Sequence, residues 1–348
     1  MRVLVTGHDG YIGSVLVPLF LEAGHEVAGM DSVLYGQECA FGEQSRHDVQ
    51  SFIVDVRDAE PEMLEGFDAV VHLAAVCNDP LGNLNPDSTY AINHRATVRL
   101  AEMAKAAGVP RFLQSSSCSI YGAAGDELLT EEADFHPVTP YGESKVLVER
   151  DVSGLADDDF SPIFLRNATA YGASPRLRMD LVLNNLVGAA YATGQVLVQS
   201  DGTPWRPIVH IEDIARAFLA LMEAPRTVVH NQAFNVGGTE ENYRVSDLAE
   251  IVEQVVPGSR VEYAEGGGPD PRCYRVDFSK LYEALPDFRL KWNARLGAEQ
   301  MYDAFQTAGL AAEDLFGPRY MRIKRVQQLM DGGTLESTLR WNRVGLLS

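Results

Sequence analysis

Apolar residues follow two rhythms along this chain. Val3 to Val5 is a short continuous run, β-branched at both ends, which predicts a buried strand of a parallel sheet. Ile12, Val15, Leu16, Leu19 and Phe20 then recur at helical spacing, and Gly24 marks a stop before HEVAGMD returns as a second strand. The alternation continues. SFIVDV, DAVVHLAA, RFLQSSS and SPIFLRNATAYG read as strands, separated by a long helix from about Asp87 to Ala107 and another over VTPYGESKVLVERDV. Strands and helices in turn predict an α/β fold built on a doubly wound parallel sheet, with ligands outside the carboxyl ends of its strands.

After about Ala173 the pattern loosens. LVLNNLVGAAYATG reads as an apolar helix and VLVQ as a strand, before IVHIEDIARAFLALM and QAFNVGG resume the earlier rhythm. A second, smaller domain is therefore expected to be interleaved with the first. The boundaries expected are 1–172 with 207–237 for the first domain, and 173–206 with 238–348 for the second and a C-terminal tail. The end of the chain, GPRYMRIKRVQQLMDGGTLESTLRW, looks helical and locally basic.

Charge narrows the partners. The 348 residues carry a formal net charge of −20, which disfavours nucleic acid and anionic membranes and obliges any anionic ligand to find a local cluster of Arg. No leader-like segment precedes the first strand, and no apolar run is long enough to span a bilayer. The four cysteines, Cys39, Cys77, Cys118 and Cys273, lack metal-ligand spacing, so no metal is expected and a reduced, cytoplasmic protein is the simplest expectation.

The first strand-to-helix turn carries the first chemistry. Gly7, Gly10 and Gly13 permit a sharp turn, close approach of a phosphate and tight packing of helix on strand. The helix N-terminus then offers free N–H groups to a pyrophosphate. Asp31 closes the second strand, where a carboxylate accepts bonds from a ribose and repels a 2′-phosphate, so NAD is expected over NADP. The first domain thus reads as a Rossmann-type dinucleotide-binding unit.

The second chemistry lies in PYGESK, where Lys145 follows Tyr141 by four residues and shares its helix face. A free phenol titrates near ~10, too high for a base at neutral pH, and a neighbouring ammonium lowers that value. Ser117, ending a strand, can bond the same substrate oxygen.

With these residues in place the chain resembles the extended short-chain dehydrogenases/reductases of the nucleotide-sugar epimerase/dehydratase family. TGHDGYIG, DV at Asp55 and Val56, HLAA, Asn93, SSSCSIYG, PYGESK, LRNATAYG and DGTPWRPIVHIEDIA carry the resemblance in order over roughly residues 1–290. It implies that Ser117, Tyr141 and Lys145 are catalytic. It places Gly7, Gly10, Tyr11, Ile12 and Gly13 at the pyrophosphate, Asp31 at the adenosine ribose and Asp55 with Val56 at the adenine. Leu73, Ala74, Ala75 and Asn93 would lie along the cofactor, with Lys145 also at the nicotinamide ribose. A nucleotide-sugar substrate would meet Ser117, Asn185, Arg206 and the pair Asp270 and Arg272, with Arg176 and Arg178 reading a phosphate or a sugar carboxylate. Two helices near 87–107 and 140–156 would pair in a homodimer.

Departures refine the expectation. Family 4,6-dehydratases carry Asp-Glu directly after the catalytic Ser or Thr. This chain has Cys118 and Ser119 there, which argues against that reaction, and Thr169 stands where relatives often have Asn. The leading expectation is an NAD-dependent epimerase acting at C4 through a transient keto-sugar. Its rivals are a 4-keto-sugar reductase or a sugar-acid decarboxylase on the same scaffold, or a non-catalytic NAD-binding sensor. The resemblance assigns the tail beyond about residue 295 no role.

Overall fold

The expected alternation takes the form of one seven-stranded sheet in a computed structural model that describes residues 1–42, 49–264 and 273–342. Its strands run Gln232–Val236, Ser161–Asn167, Arg111–Ser117, Ala69–His72, Arg2–Thr6, Glu26–Asp31 and Gln50–Ile53 across the sheet, all parallel. The first strand lies inside the sheet because the chain winds outward to one side and then reverses to the other. The reversal point falls between Thr6 and its neighbours Met30 and His72, and such a point opens a crevice at the carboxyl ends.

Both faces of the sheet are covered, which is why Val3, Leu4 and Val5 form an unbroken apolar run. On one face pack Leu16 and Phe20 of helix Gly13–Glu22 and Ile214, Phe218 and Leu221 of helix Ile211–Glu223. On the other pack Leu100 and Ala104 of helix Thr97–Ala106 and Val148 and Val152 of helix Pro140–Ser153. A separate core joins Leu186 and Val187 of helix Val182–Thr193, Leu248 and Val252 of helix Val245–Val255, and Met301 and Phe305 of helix Ala294–Ala308. Among the described residues no helix is long and apolar enough to cross a membrane.

Three elements differ from the sequence expectation. The helix expected over 87–107 is not uniform: a π-helical stretch, Tyr90–Ala96, separates Pro86–Thr89 from Thr97–Ala106. The strand expected to run through SPIFLRNATAYG breaks at Ala168, and Thr169–Tyr171 pairs instead with Trp205–His210 in a three-stranded sheet. The tail returns to the first half of the molecule. Val326 and Leu329 of helix Arg322–Asp331, with Leu335 and Leu339, share a core with Leu4, Ala28 and Val70.

Candidate active site

A cleft of about 780 Å³ follows the carboxyl edge of the sheet and is lined by the glycine loop, Asp31, Asp55, Ser117, Tyr141 and Lys145. The glycine loop is built for close approach. Gly7 has φ +72°, and a Cβ there would sit 2.8 Å from the Ala74 nitrogen. A Cβ on Gly13 would stand 2.3 Å from the Gly7 carbonyl oxygen, so helix Gly13–Glu22 starts hard against the loop. No side chain caps that helix, and its first turn holds no acid. The loop therefore leaves both the space and the uncommitted N–H groups that a pyrophosphate needs, and a dinucleotide fits it.

The dinucleotide's other expected contacts line the same cleft. Asp31 accepts from the Val33 nitrogen at 2.8 Å and the Asp9 nitrogen at 3.1 Å, while burial pushes its carboxyl upward. Asp55 is paired with Arg57 at 2.5 Å, beside a buried Val56. Leu73, Ala74, Ala75, Tyr11 and Ile12 also form part of the cleft wall. The Tyr11 hydroxyl is committed to the Gly172 carbonyl at 2.8 Å. With Asp31 at this end, NADP should bind at least about tenfold more weakly than NAD, a difference of ~1.4 kcal/mol. Titration calorimetry with both cofactors checks this, and equal dissociation constants would refute the role given to Asp31.

At the catalytic end three elements converge. Ser117 closes strand Arg111–Ser117, and its hydroxyl lies beside Tyr141 and accepts from the Ser119 nitrogen at 3.1 Å. Tyr141 sits in the first turn of helix Pro140–Ser153, whose N-terminus is capped by Thr139 accepting from the Gly142 nitrogen at 3.2 Å. Lys145 is one turn on. Its Nζ donates to the Ser115 carbonyl at 2.7 Å and lies 5.8 Å from the Tyr141 ring centre. Burial lowers the Lys145 pKa to about 8. Burial also raises that of Tyr141 and Cys77 adds to the rise, while the Ser117 hydrogen bond offsets part of it. A buried phenol needs positive charge beside it to act as a base, and Lys145 stands one helical turn away.

Behind this trio lies a buried polar network. Glu149 accepts from the Ser116 hydroxyl at 2.5 Å and pairs with Arg166 at 2.7 Å, and Arg166 also donates to the Glu131 carbonyl at 2.8 Å. It fixes the strand end that carries Ser117. At the positions where family 4,6-dehydratases have acids, Cys118 is fully buried and turned to the Arg166 carbonyl. Ser119 lines the cleft with a buried hydroxyl that has no hydrogen-bond partner.

On the substrate side, Asn185 and Arg206 line the cleft, Asn185 donating to the Met179 carbonyl at 3.0 Å. Arg178 lines it too, paired with Asp180 at 2.9 Å and donating to Cys77 Sγ at 3.3 Å. Two expected contacts are placed differently. Arg176 is not among the residues lining the cleft: it is buried in an ion pair with Asp9 of the glycine loop at 2.6 Å. Asn93 likewise lies behind the wall. It accepts from the Val76 nitrogen at 2.7 Å and donates to the Val76 carbonyl at 2.9 Å and to Ser144 Oγ at 3.1 Å. The π-helical stretch aims it there, so it shapes the wall from outside the cleft. Asp270 and Arg272 lie outside the described residues. Sequence reasoning missed Asp180, Cys77 and Arg322, all of which line the cleft. The only trace of Arg322 in the sequence was the basic character of the tail.

Fold and cleft together define a Rossmann-type dinucleotide-binding protein with the residues of a short-chain dehydrogenase. Residues 3–237 match the NAD dependent epimerase/dehydratase family, and the chain belongs to that family. It is 31% identical over 335 residues to UDP-glucose 4-epimerase 4 of Oryza sativa subsp. japonica, covering 86% of this chain and 87% of that protein. It is 29% identical to UDP-glucuronic acid decarboxylase 1 of Arabidopsis thaliana, over 88% of this chain and 70% of that one. The structure of MoeE5 in complex with UDP-glucuronic acid and NAD superposes with a TM-score of 0.76 at 26% identity, over 88% of this chain and 99% of MoeE5.

Proposed function

We propose that this protein is an NAD-dependent nucleotide-sugar epimerase that acts at C4 through a transient keto-sugar. The observation that carries the reading is the convergence of Ser117, Tyr141 and Lys145 in one cleft with a serine, Ser119, where a dehydratase would hold its acid. Tyr141 takes the proton of a sugar hydroxyl and later returns it, Ser117 bonds the same oxygen, and Lys145 supports the phenolate. Bound NAD would supply the hydride acceptor for the sugar carbon and the hydride for its return. The cycle is redox-neutral, which suits a cofactor held by Asp31. The rice 4-epimerase supports this reading.

The test is incubation with a panel of UDP-, dTDP- and GDP-sugars, followed by NMR. Appearance of the C4 epimer without net formation of NADH is expected. Release of CO2, or stoichiometric consumption of a reduced cofactor, would replace the reading with one of its rivals.

Arg206, buried and lining the cleft, is assigned to the sugar nucleotide's phosphates. Arg206→Ala should weaken UDP binding by ~2 kcal/mol, the scale of a hydrogen bond to a charged group, and leave NAD binding unchanged. Calorimetric titration with each ligand separates the two sites, and a loss confined to NAD would show that the substrate has been put in the wrong place.

A further inference from the structure

The tail beyond residue 320 has no part in the reaction above, yet it supplies a wall of the cleft. Arg322 opens helix Arg322–Asp331 and is 1% exposed. Its guanidinium lies 4.0 Å from the centre of the Tyr35 ring, and Nη2 donates to the Arg176 carbonyl at 2.9 Å. Nη1 is buried with no hydrogen-bond partner. Arg322 lines the cleft.

Among the described residues no carboxylate is within ion-pairing distance of Arg322. The acid near it is taken: Asp180 pairs with Arg178. A guanidinium cannot shed its proton, so burying it unpaired is costly. Arg178 nearby adds like-charge repulsion. A built cavity wall that carries such a group is completed by an anion. The location says which one. Tyr35 follows Asp31 by four residues and lines the same cleft, and Arg176, whose carbonyl holds Arg322, reaches Asp9 in the glycine loop. Both neighbours belong to the dinucleotide end, while Arg178 and Asp180 flank Arg322 toward the substrate side.

We propose that Arg322 is a cofactor-binding residue, delivered by the C-terminal tail, that meets the pyrophosphate of the bound dinucleotide. The rest of the tail holds it in place. Arg57 donates to the carbonyls of Thr338 at 2.7 Å and Leu339 at 3.0 Å, and Trp341 Nε1 donates to the Ser32 carbonyl at 2.6 Å. These bonds fasten the end of the chain to the loops after the second and third strands, on either side of Asp31 and Asp55. The cofactor is thereby held from two sides, by the glycine loop and by the tail.

The inference rests on the assignment of this cleft to NAD, so wild-type binding is measured first. Absence of NAD binding by the wild type would remove that assignment, and the inference with it. The test proper is Arg322→Met, which keeps the length of the stem and removes the charge. Titration calorimetry and NAD dissociation followed by stopped flow are expected to show affinity reduced at least tenfold and release accelerated. ADP-ribose, which keeps the pyrophosphate and lacks the nicotinamide, should lose the same factor, while UDP binding should not change. Unchanged NAD affinity in a folded variant, or a loss for UDP alone, overturns the proposal. Should Arg322→Met fail to fold, Arg322→Lys carries the test. It keeps a charge but loses the flat fork, and NAD affinity is expected to fall several-fold, with equality to wild type the overturning result.

Discussion

Tyr141→Phe should retain the fold and NAD binding and lose turnover by about a thousandfold, the middle of the range for removing a general acid–base group. The argument is geometric. The ring stays where it was, at the start of helix Pro140–Ser153, because its packing does not need the hydroxyl. The cap by Thr139 and the Lys145 bond to the Ser115 carbonyl are both made without it. What disappears is the oxygen to which the proposed mechanism assigns the proton transfer. The loss should fall on kcat while the dissociation constant for NAD is unchanged, since none of the contacts proposed for the cofactor's pyrophosphate involves the Tyr141 hydroxyl. Steady-state kinetics on the true substrate, with NAD titration of the same variant, read both. Near wild-type turnover would remove Tyr141 from proton transfer. A parallel loss of NAD affinity would show that the substitution disturbed the cleft as a whole.

The parts of this molecule that were legible in the sequence are those governed by local geometry. Three glycines at fixed spacing leave one workable turn between strand and helix, and Tyr141 with Lys145 share a face because a helix turns once in about 3.6 residues. Unbroken apolar runs such as Val3–Val5 announce a sheet buried on both faces. What stayed hidden depends on partners far away in the chain. From its place in ASPRLRMD, Arg176 reads with Arg178 as a residue for a phosphate or a sugar carboxylate. Its partner is Asp9, separated by 167 residues and brought close only by the fold. Asn93 was visible as a motif residue, but its direction is set by the π-helical stretch, which no periodicity of apolar residues marks. Arg322 looked like one more cation on a basic helix. Its burial follows from where the tail docks, on a core shared with Leu4 and Val70, and a polar helix carries little record of that docking site.

The second large effect concerns stability. Arg166 and Glu149 form an ion pair in which neither side chain is more than 8% exposed, directly behind the strand end that carries Ser117. Removing one partner of such a pair leaves the other charge buried and unmatched, at a cost of ~3–5 kcal/mol. Arg166→Met should therefore destabilise the protein by about that amount. It leaves Glu149 with only the Ser116 hydroxyl and deprives the Tyr121 hydroxyl and the Glu131 carbonyl of a donor. Adding Glu149→Leu removes the stranded charge and should recover part of the loss, since replacing a buried pair by apolar side chains is often close to neutral. Urea denaturation of the three proteins measures this. A deficit below ~1 kcal/mol would mean that the pair contributes little, and that the strand end holding Ser117 is kept in place by its neighbours in the sheet alone.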